Sequence, residues 1–445
     1  MSLSAHLDSL FAFLRFPSVS TDSAHAVDMF ETARWLATHL EAVGLTTEIH
    51  QTPGHPMVLA RNGHRNDRKT VLLYGHYDVQ PVDPLDLWKS PPFEPEIRDG
   101  VIYARGSTDN KGQLMAHVCG IGQTLEQKGD LPVNLICLFE GEEEIGSPHL
   151  APFLQDHAGE LACDIVAISD TGMVAPGVPT LSYGLRGILC LEITLTGPAT
   201  DLHSGIFGGA VANPATELAR LIARLHDEQG RVEVAGFYDT VRPLESWERE
   251  AWSRVPLGDA DILRLTGVPH LDGEDGFTSL ERLWGRPTAE VNGLWGGYQG
   301  EGSKTVIPSQ AFAKFSFRLV PDQVPGEILR QVESWLRQQC PESVRLAIHQ
   351  GHHGRPYVMD PHSPFGKAAQ RALRRSFGKD PVLIREGGSI PIVHAFKDIL
   401  DADTLLVGLA LPDCQAHAPN ENFPVANFVA GIELNQRLLE ELATG

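Results

Sequence analysis

Three unbroken apolar runs constrain this chain more than any other feature: TVLLYGH at 70–76, VNLICLFE at 133–140 and DIVAISD at 164–170. A strand with one wet face alternates apolar and polar residues, and these do not, so both of their faces must be covered. Helical patterns flank them, which predicts parallel strands enclosed by helices and an α/β fold.

The chain does not keep that texture. From about residue 187 it reads as strand ILCLEITLTG, helix NPATELARLIARLHDE, strands AEVNGLWGGYQ and AFAKFSFRLVP, helix GEILRQVESWLRQQ and strand SVRLAIHQG. That β-α-β-β-α-β order, with an insertion at about 230–285, predicts a smaller ferredoxin-like α+β sheet covered by helices on one side. After about 357 the first texture returns, with helix SPFGKAAQRALRRSF, strands PVLIREGG and DTLLVGLA, and a closing helix near NFVAGIELNQRLLEELA. The expected organisation is a discontinuous α/β domain with a mainly parallel sheet, residues 1–186 and 357–445, and a second domain, 187–356, inserted in it. A length of 445 residues suits two domains.

A formal charge of −21 argues against nucleic acid or an anionic membrane as partner, because both select a basic surface. The six cysteines form no CxxC pair and mostly sit in apolar runs, as reduced thiols do, so a reducing cytoplasm is expected. The first twenty residues have too short an apolar core for a signal peptide or anchor. Leu7, Leu10, Phe11 and Leu14 fall at helical spacing, which predicts an amphipathic first helix.

The chemistry gathers where the apolar runs end. VLLYGHYD delivers His76 and Asp78, LICLFEGEEE delivers Glu140, Glu142, Glu143 and Glu144, IVAISD delivers Asp170, and TLLVGLALPDCQAH leads to His417. In an open α/β sheet, ligands bind at the carboxyl ends of the strands, so groups far apart in sequence can converge there. Asp109, in RGSTDNKGQLMAHV, precedes a helical pattern whose first turn would position it. Two histidines and several carboxylates with no thiolate form a borderline-hard donor set suited to Zn²⁺ or Mn²⁺. Five ligands exceed the need of one catalytic ion, and if one carboxylate bridges, they divide into two sets of three. Asp78, two residues beyond His76, is placed to accept the other imidazole N–H.

GHYDVQP, WKSPPFEPEIRDGVIYARGSTDNKGQ, EGEEEIGS, DLHSGIFGG and FSFRLVP resemble the two-metal exopeptidase superfamily of carnosinase, cytosolic nonspecific dipeptidase, glutamate carboxypeptidase and aminoacylase. The resemblance spans nearly the whole chain and is greatest to the dipeptidase branch. It implies a split catalytic domain and an inserted lid and dimerisation domain. It also implies His76, Asp109 and Asp170 on one metal and Asp109, Glu144 and His417 on the other, with Asp109 bridging. Glu143, first of the Glu-Glu-x-Gly-Ser pattern, is implied as general base, with Asp78 beside His76. Asp170 points to the dipeptidase branch, since deacylase and carboxypeptidase relatives usually carry glutamate there. His203 of DLHSG is implied as oxyanion donor, reaching across a homodimer from the lid of the second subunit.

Lys314, Ser316 and Arg318 share one face at strand period, and the Arg318 guanidinium suits a peptide's C-terminal carboxylate. Thr305 in GSKTVIP and Ser389 in REGGSIP match substrate-contacting positions of the superfamily. The expected reaction is metal-dependent hydrolysis of a dipeptide or short peptide. The alternatives are an N-acyl amino acid deacylase, a carboxypeptidase, or a non-catalytic metal-binding scaffold. A P-loop is excluded because Gly302 in GYQGEGSKT is followed by Ser303 rather than lysine. A GxSxG elbow at Ser204 is excluded because Leu202 replaces the first glycine.

Overall fold

The computed structural model describes residues 2–388, 390 and 392–444. The three apolar runs become adjacent parallel strands. Thr70–His76 lies between Asn134–Glu140 and Ile165–Ile168, with Val71 opposite both Leu135 and Ile165. Thr404–Leu406 adds a fourth parallel strand beside Ile165–Ile168. Every residue of Asn134–Glu140 and Ile165–Ile168 is buried, which is why neither run alternates.

The sheet turns mixed toward its edges. Met57–Arg61 and then Thr46–His50 pair antiparallel on one side. On the other, Thr180–Leu185 pairs antiparallel with Thr404–Leu406 and with Tyr357–Val358, and parallel with Val382–Glu386. Helices Leu3–Leu14, Ala26–Ala42, Lys111–Lys128, Pro364–Phe377 and Val425–Leu442 pack around it. In the first of these, His6, Leu10, Phe13 and Leu14 are buried while Leu7 and Phe11 are only half-buried. The amphipathic stripe is therefore rotated from the expected one, because Phe13 stacks on Trp35 of the next helix.

Gly187–Thr196, Thr288–Gly296, Gln310–Leu319 and Arg345–Gly354 form a separate antiparallel sheet. Gln310–Leu319 lies between Thr288–Gly296 and Gly187–Thr196, and Arg345–Gly354 lies at the other edge of Gly187–Thr196, which is ferredoxin-like order. Helices Pro214–Ile222 and Pro325–Gln339 pack on this sheet and share a second core with Leu189, Leu191, Phe315 and Phe317. Alternation along Gln310–Leu319 turns Phe315, Phe317 and Leu319 inward and leaves Lys314, Ser316 and Arg318 on the opposite face.

The insertion folds into helices Ser246–Ser253, Asp259–Thr266 and Ser279–Gly285. Its Trp252, Val255, Leu280 and Trp284 join the core of the first sheet rather than that of the second. Glu248 anchors it there, accepting from Tyr183 Oη at 2.7 Å and pairing with Arg385. All six cysteines are unpaired. Among the described residues, no helix is long and apolar enough to cross a membrane.

Candidate active site

The parallel strands deliver their terminal residues to one edge of the sheet. His76 is the last residue of its strand, Asp170 follows Ile165–Ile168 by two residues, and Glu143 and Glu144 lie on a single helical turn just after Asn134–Glu140. Gly146 ends that turn at φ 86°, a left-handed conformation that costs glycine little, and so fixes the offset seen in the Glu-Glu-x-Gly-Ser pattern. Asp109 stands two residues before the helix Lys111–Lys128. Gly112 is the second residue of that helix, and a Cβ there would lie 1.9 Å from the Ser107 carbonyl oxygen. Only glycine lets the helix approach the Asp109 loop so closely.

Two clusters of donors result, each with its ligand atoms within 4.8 Å of one another: His76, Asp109 and Asp170, and Asp109, Glu144 and His417. Asp109 belongs to both. His76 Nε2 lies 3.2 Å from Asp109 Oδ1 and 3.7 Å from Asp170 Oδ2. His417 Nε2 lies 2.9 Å from Asp109 Oδ2 and 3.5 Å from Glu144 Oε2. The Asp109 carboxyl thus spans the two groups, one oxygen toward each.

The donors fit a pair of divalent cations. His76 Nε2 and Glu144 Oε1 are buried with no hydrogen-bond partner, the state of ligand atoms that await an ion. Burial and the Asp109 charge push Glu144 up to about 9. Burial raises Glu143 well above the usual carboxylate range, and the Asp170, Asp109 and Glu144 charges add to it against His76. Burial alone would raise Asp109 too, but the hydrogen bond from His417 and the His76 ring beside it hold it below its ordinary value. So many carboxylates ionise together only with positive charge between them.

Asp78 is completely buried and links both halves of the site. Its Oδ1 lies 3.3 Å from His76 Nδ1, and its carboxylate accepts the backbone N–H groups of Glu143 at 3.2 Å and Glu144 at 3.1 Å. One residue orients an imidazole and sets the turn that carries both glutamates. The Glu143 side chain accepts no protein hydrogen bond among the described residues, which leaves its carboxylate open to a ligand. Glu140 and Glu142 are occupied elsewhere. Glu140 accepts from Tyr74 Oη at 2.5 Å and Ser147 Oγ at 2.8 Å, and Glu142 accepts from His55 N at 3.2 Å and lies 2.8 Å from His149 Nδ1. Both carboxylates are thus held by protein groups, though Glu140 Oε2 is itself buried without a hydrogen-bond partner.

A family model described as peptidase family M20/M25/M40 matches residues 72–441. The chain belongs to this family. Its M20 relatives include the Cys-Gly metallodipeptidase dug1 of Schizosaccharomyces pombe, 33% identical over 96% of this chain and 93% of that protein. The Beta-Ala-His dipeptidase of Homo sapiens is 31% identical over 88% of this chain and 78% of that protein. A solved M20 family metallo-carboxypeptidase of Sulfolobus solfataricus superposes with a TM-score of 0.87 at 34% identity, covering 99% of each chain. M20 membership at this level makes the chain a metallopeptidase.

Several residues supporting this M20 site carry no signal in the sequence. Glu421, fully buried, accepts from Arg105 Nη1 at 2.7 Å and from the backbone N–H groups of Gly106 at 2.8 Å, Thr108 at 2.8 Å and Asp109 at 2.9 Å. It thereby fixes the loop that presents Asp109. Asn110 Nδ2 donates to Asp170 Oδ1 at 2.8 Å, and Gln80 Nε2 donates to Glu144 Oε2 at 2.6 Å. His417 itself adopts φ 61°, an unusual conformation for a histidine that its turn-rich loop imposes.

Other expected site residues stand apart from the donor clusters. His203 and Thr305 are exposed on a two-stranded ribbon where Leu202–His203 pairs with Val306–Ile307. Among the described residues, neither makes a hydrogen bond or ion pair with the clusters. The Gly205 N–H donates to His203 Nδ1 at 2.9 Å, which puts the ring proton of a neutral His203 on Nε2 as an outward donor. Arg318 lines a cavity of about 810 Å³ with Arg186, Glu290 and Ser316, and its guanidinium has no protein partner among the described residues. Ser389 lies outside the described residues.

Proposed function

We propose that this chain is a metal-dependent dipeptidase, cleaving the amide bond of dipeptides or short peptides with a free C-terminal carboxylate. The observation that carries the reading is the pair of three-donor clusters joined through Asp109, with an unengaged glutamate, Glu143, beside them. His76, Asp109 and Asp170 would hold one cation and Asp109, Glu144 and His417 the other, Zn²⁺ or Mn²⁺ by the chemistry of the donors. Bound there, such cations acidify water and polarise a carbonyl.

The chain's own residues do the rest. Glu143 takes the proton of the attacking water and returns it to the leaving amine, and its surroundings favour a carboxyl that holds a proton readily. Asp78 keeps His76 and the Glu143 turn in place. The Nε2–H of His203 donates to the developing oxyanion. Arg318 grips the C-terminal carboxylate, with Thr305 and Ser389 as further substrate contacts.

His203 stands outside its own chain's donor clusters, which supports a homodimer in which each lid, 187–356, serves the partner's catalytic domain, 1–186 and 357–445. Ile206 and Phe207, 70% and 41% exposed beside His203, supply apolar surface for that contact. Six unpaired cysteines suit a reducing cytoplasm.

Likeness to a metallo-carboxypeptidase favours one second reading, removal of C-terminal residues from longer chains. A hydrolysis screen of dipeptides, tripeptides and N-acetyl amino acids, with metal-loaded and chelator-treated protein, separates them. Dipeptides should be cleaved fastest, and only with metal. Undiminished activity in chelator would refute the two-metal reading.

A further inference from the structure

The strands Ile165–Ile168 and Thr404–Leu406 run parallel side by side, but their ladder is interrupted just where the site begins. The Val407 N–H still donates to the Ile168 carbonyl at 2.9 Å, and pairing resumes where the Ala410 N–H donates to the Thr171 carbonyl at 3.3 Å. Between these points the Val407 carbonyl and both polar groups of Leu409 bond to side chains instead of to the neighbouring strand. Asp170 stands opposite this interruption. Gly408 lies within it, and a Cβ there would fall 1.8 Å from the Thr171 carbonyl oxygen, so only glycine fits.

Backbone groups freed from a ladder need other partners. The helix Lys111–Lys128, buried at every position from Lys111 to Gly122, provides them. Gln113 Oε1 accepts the Leu409 N–H at 2.7 Å, and Gln113 Nε2 donates to the Thr108 carbonyl at 3.1 Å, next to Asp109. The Leu409 carbonyl accepts from Asn427 Nδ2 at 2.7 Å. One turn beyond Gln113, His117 Nε2 lies 2.6 Å from Ser169 Oγ, which donates to the Val407 carbonyl at 2.8 Å. Asn435 Nδ2, from the closing helix, donates to His117 Nδ1 at 2.8 Å. Gly120 permits that approach, since a Cβ there would lie 2.8 Å from Asn435 Cβ.

The direction of this relay is fixed. Burial pushes His117 down to about 4, so its imidazole is neutral and carries one ring proton. Because Nδ1 accepts from Asn435, that proton sits on Nε2 and points at Ser169 Oγ, whose own proton goes to the Val407 carbonyl. Asn435 Oδ1 is buried without a hydrogen-bond partner. A trio serving packing alone would do better as apolar side chains of the same shape, which leave no such orphan.

We propose that His117 is a positioning residue for the cation of the His76, Asp109 and Asp170 cluster, acting through Ser169 on Asp170. Ser169 immediately precedes the ligand. Its hydroxyl is held by His117 and Val407, and its carbonyl accepts from Asn110 Nδ2 at 2.6 Å, so the point from which Asp170 departs is pinned on both sides. The inference rests on the two-cation reading. It adds that the two cations are supported separately, since Glu144 of the other cluster is held by Asp78 and Gln80 and touches no part of the relay.

Competition titration of the metal-free full chain with Zn²⁺ against a chromophoric chelator reads both binding steps, with circular dichroism to confirm the fold. Ser169→Ala, which removes a single oxygen, and His117→Leu should each weaken one step by about 10–100-fold and leave the other unchanged. His117→Gln, whose amide can still donate to Ser169 Oγ, should recover most of that loss. Adding Ser169→Ala to Asp170→Ala should cost no further affinity, because the relay then has no ligand to orient. Wild-type affinity in both steps of a folded Ser169→Ala protein would overturn the proposal. So would an equal loss in both steps, a further loss on top of Asp170→Ala, or no difference between His117→Gln and His117→Leu, each of which marks a general structural role. A wild-type chain that takes up no Zn²⁺ would instead refute the two-cation reading itself.

Discussion

Glutamine in place of Glu421 should weaken metal binding although residue 421 touches no metal. The carboxylate collects four donors, from Arg105 Nη1, Gly106 N, Thr108 N and Asp109 N, and is completely buried. Oε1 serves Thr108 and Asp109, and Oε2 serves Arg105 and Gly106. A glutamine can keep its carbonyl oxygen on the first pair, and its NH₂ group then confronts two other donors. An orphaned buried N–H costs about 1–3 kcal/mol, and a buried charge stripped of its partner about 3–5 kcal/mol. The loop of residues 105–109 can shed much of this by moving, and Asp109 moves with it. Binding two cations through Asp109 requires the loop to return, so part of that cost reappears as lost affinity. A loss of about 10–100-fold is expected, the usual effect of removing a residue that orients a ligand. Competition titration of the metal-free protein against a chromophoric chelator measures it, with circular dichroism to confirm the fold. Wild-type affinity in a folded Glu421→Gln protein would refute the argument that Glu421 acts through Asp109.

Four further outcomes are expected. Glu143→Gln should retain both metals by elemental analysis and lose about 10²-fold or more in kcat, as for a missing general base; wild-type turnover would show that the base lies elsewhere. C-terminally amidated dipeptides should be poor substrates, and Arg318→Met should narrow the gap between free and amidated forms; a gap unchanged in that variant would remove Arg318 from carboxylate binding. If His203 acts across a dimer, refolding His203→Ala together with Glu143→Gln should restore activity that neither variant has alone, whereas action within one chain predicts no rescue. His117 is pushed down to about 4 by burial from an ordinary value of 6.5. The unfolded chain then binds more protons between those values, so this group's contribution is full above pH 6.5 and is lost as pH falls toward 4. It amounts to roughly 3 kcal/mol. His117→Gln should flatten acid destabilisation across that window in urea titrations, and an unchanged slope would rule out this contribution.

Much of the site is legible in the sequence because its residues sit at strand ends. An unbroken apolar run followed by His76, Glu143 and Glu144, or Asp170 states both that a strand is buried and that its carboxyl end bears a donor. The same reasoning places Lys314, Ser316 and Arg318 on one strand face, as found. It fails for Glu421 and Arg105, which pair across more than 300 residues of chain with nothing local to mark either. It also assigns Asp78 half its role, since contact with His76 follows from spacing but its grip on the Glu143 and Glu144 backbone depends on which strands are neighbours.

The α/β class, the chemistry of the donors and the elements that carry them can be read along the chain, because burial on both faces and the chemical type of a side chain are local properties. Tertiary structure alone decided that Asp109 lies between His76 and His417, that Glu140 and Glu142 are spoken for by Tyr74, Ser147, His55 and His149, and that His117 meets Ser169 beside Asp170. Those facts depend on strand order and on loops meeting across the sheet, and distance in space is not encoded in distance along the chain.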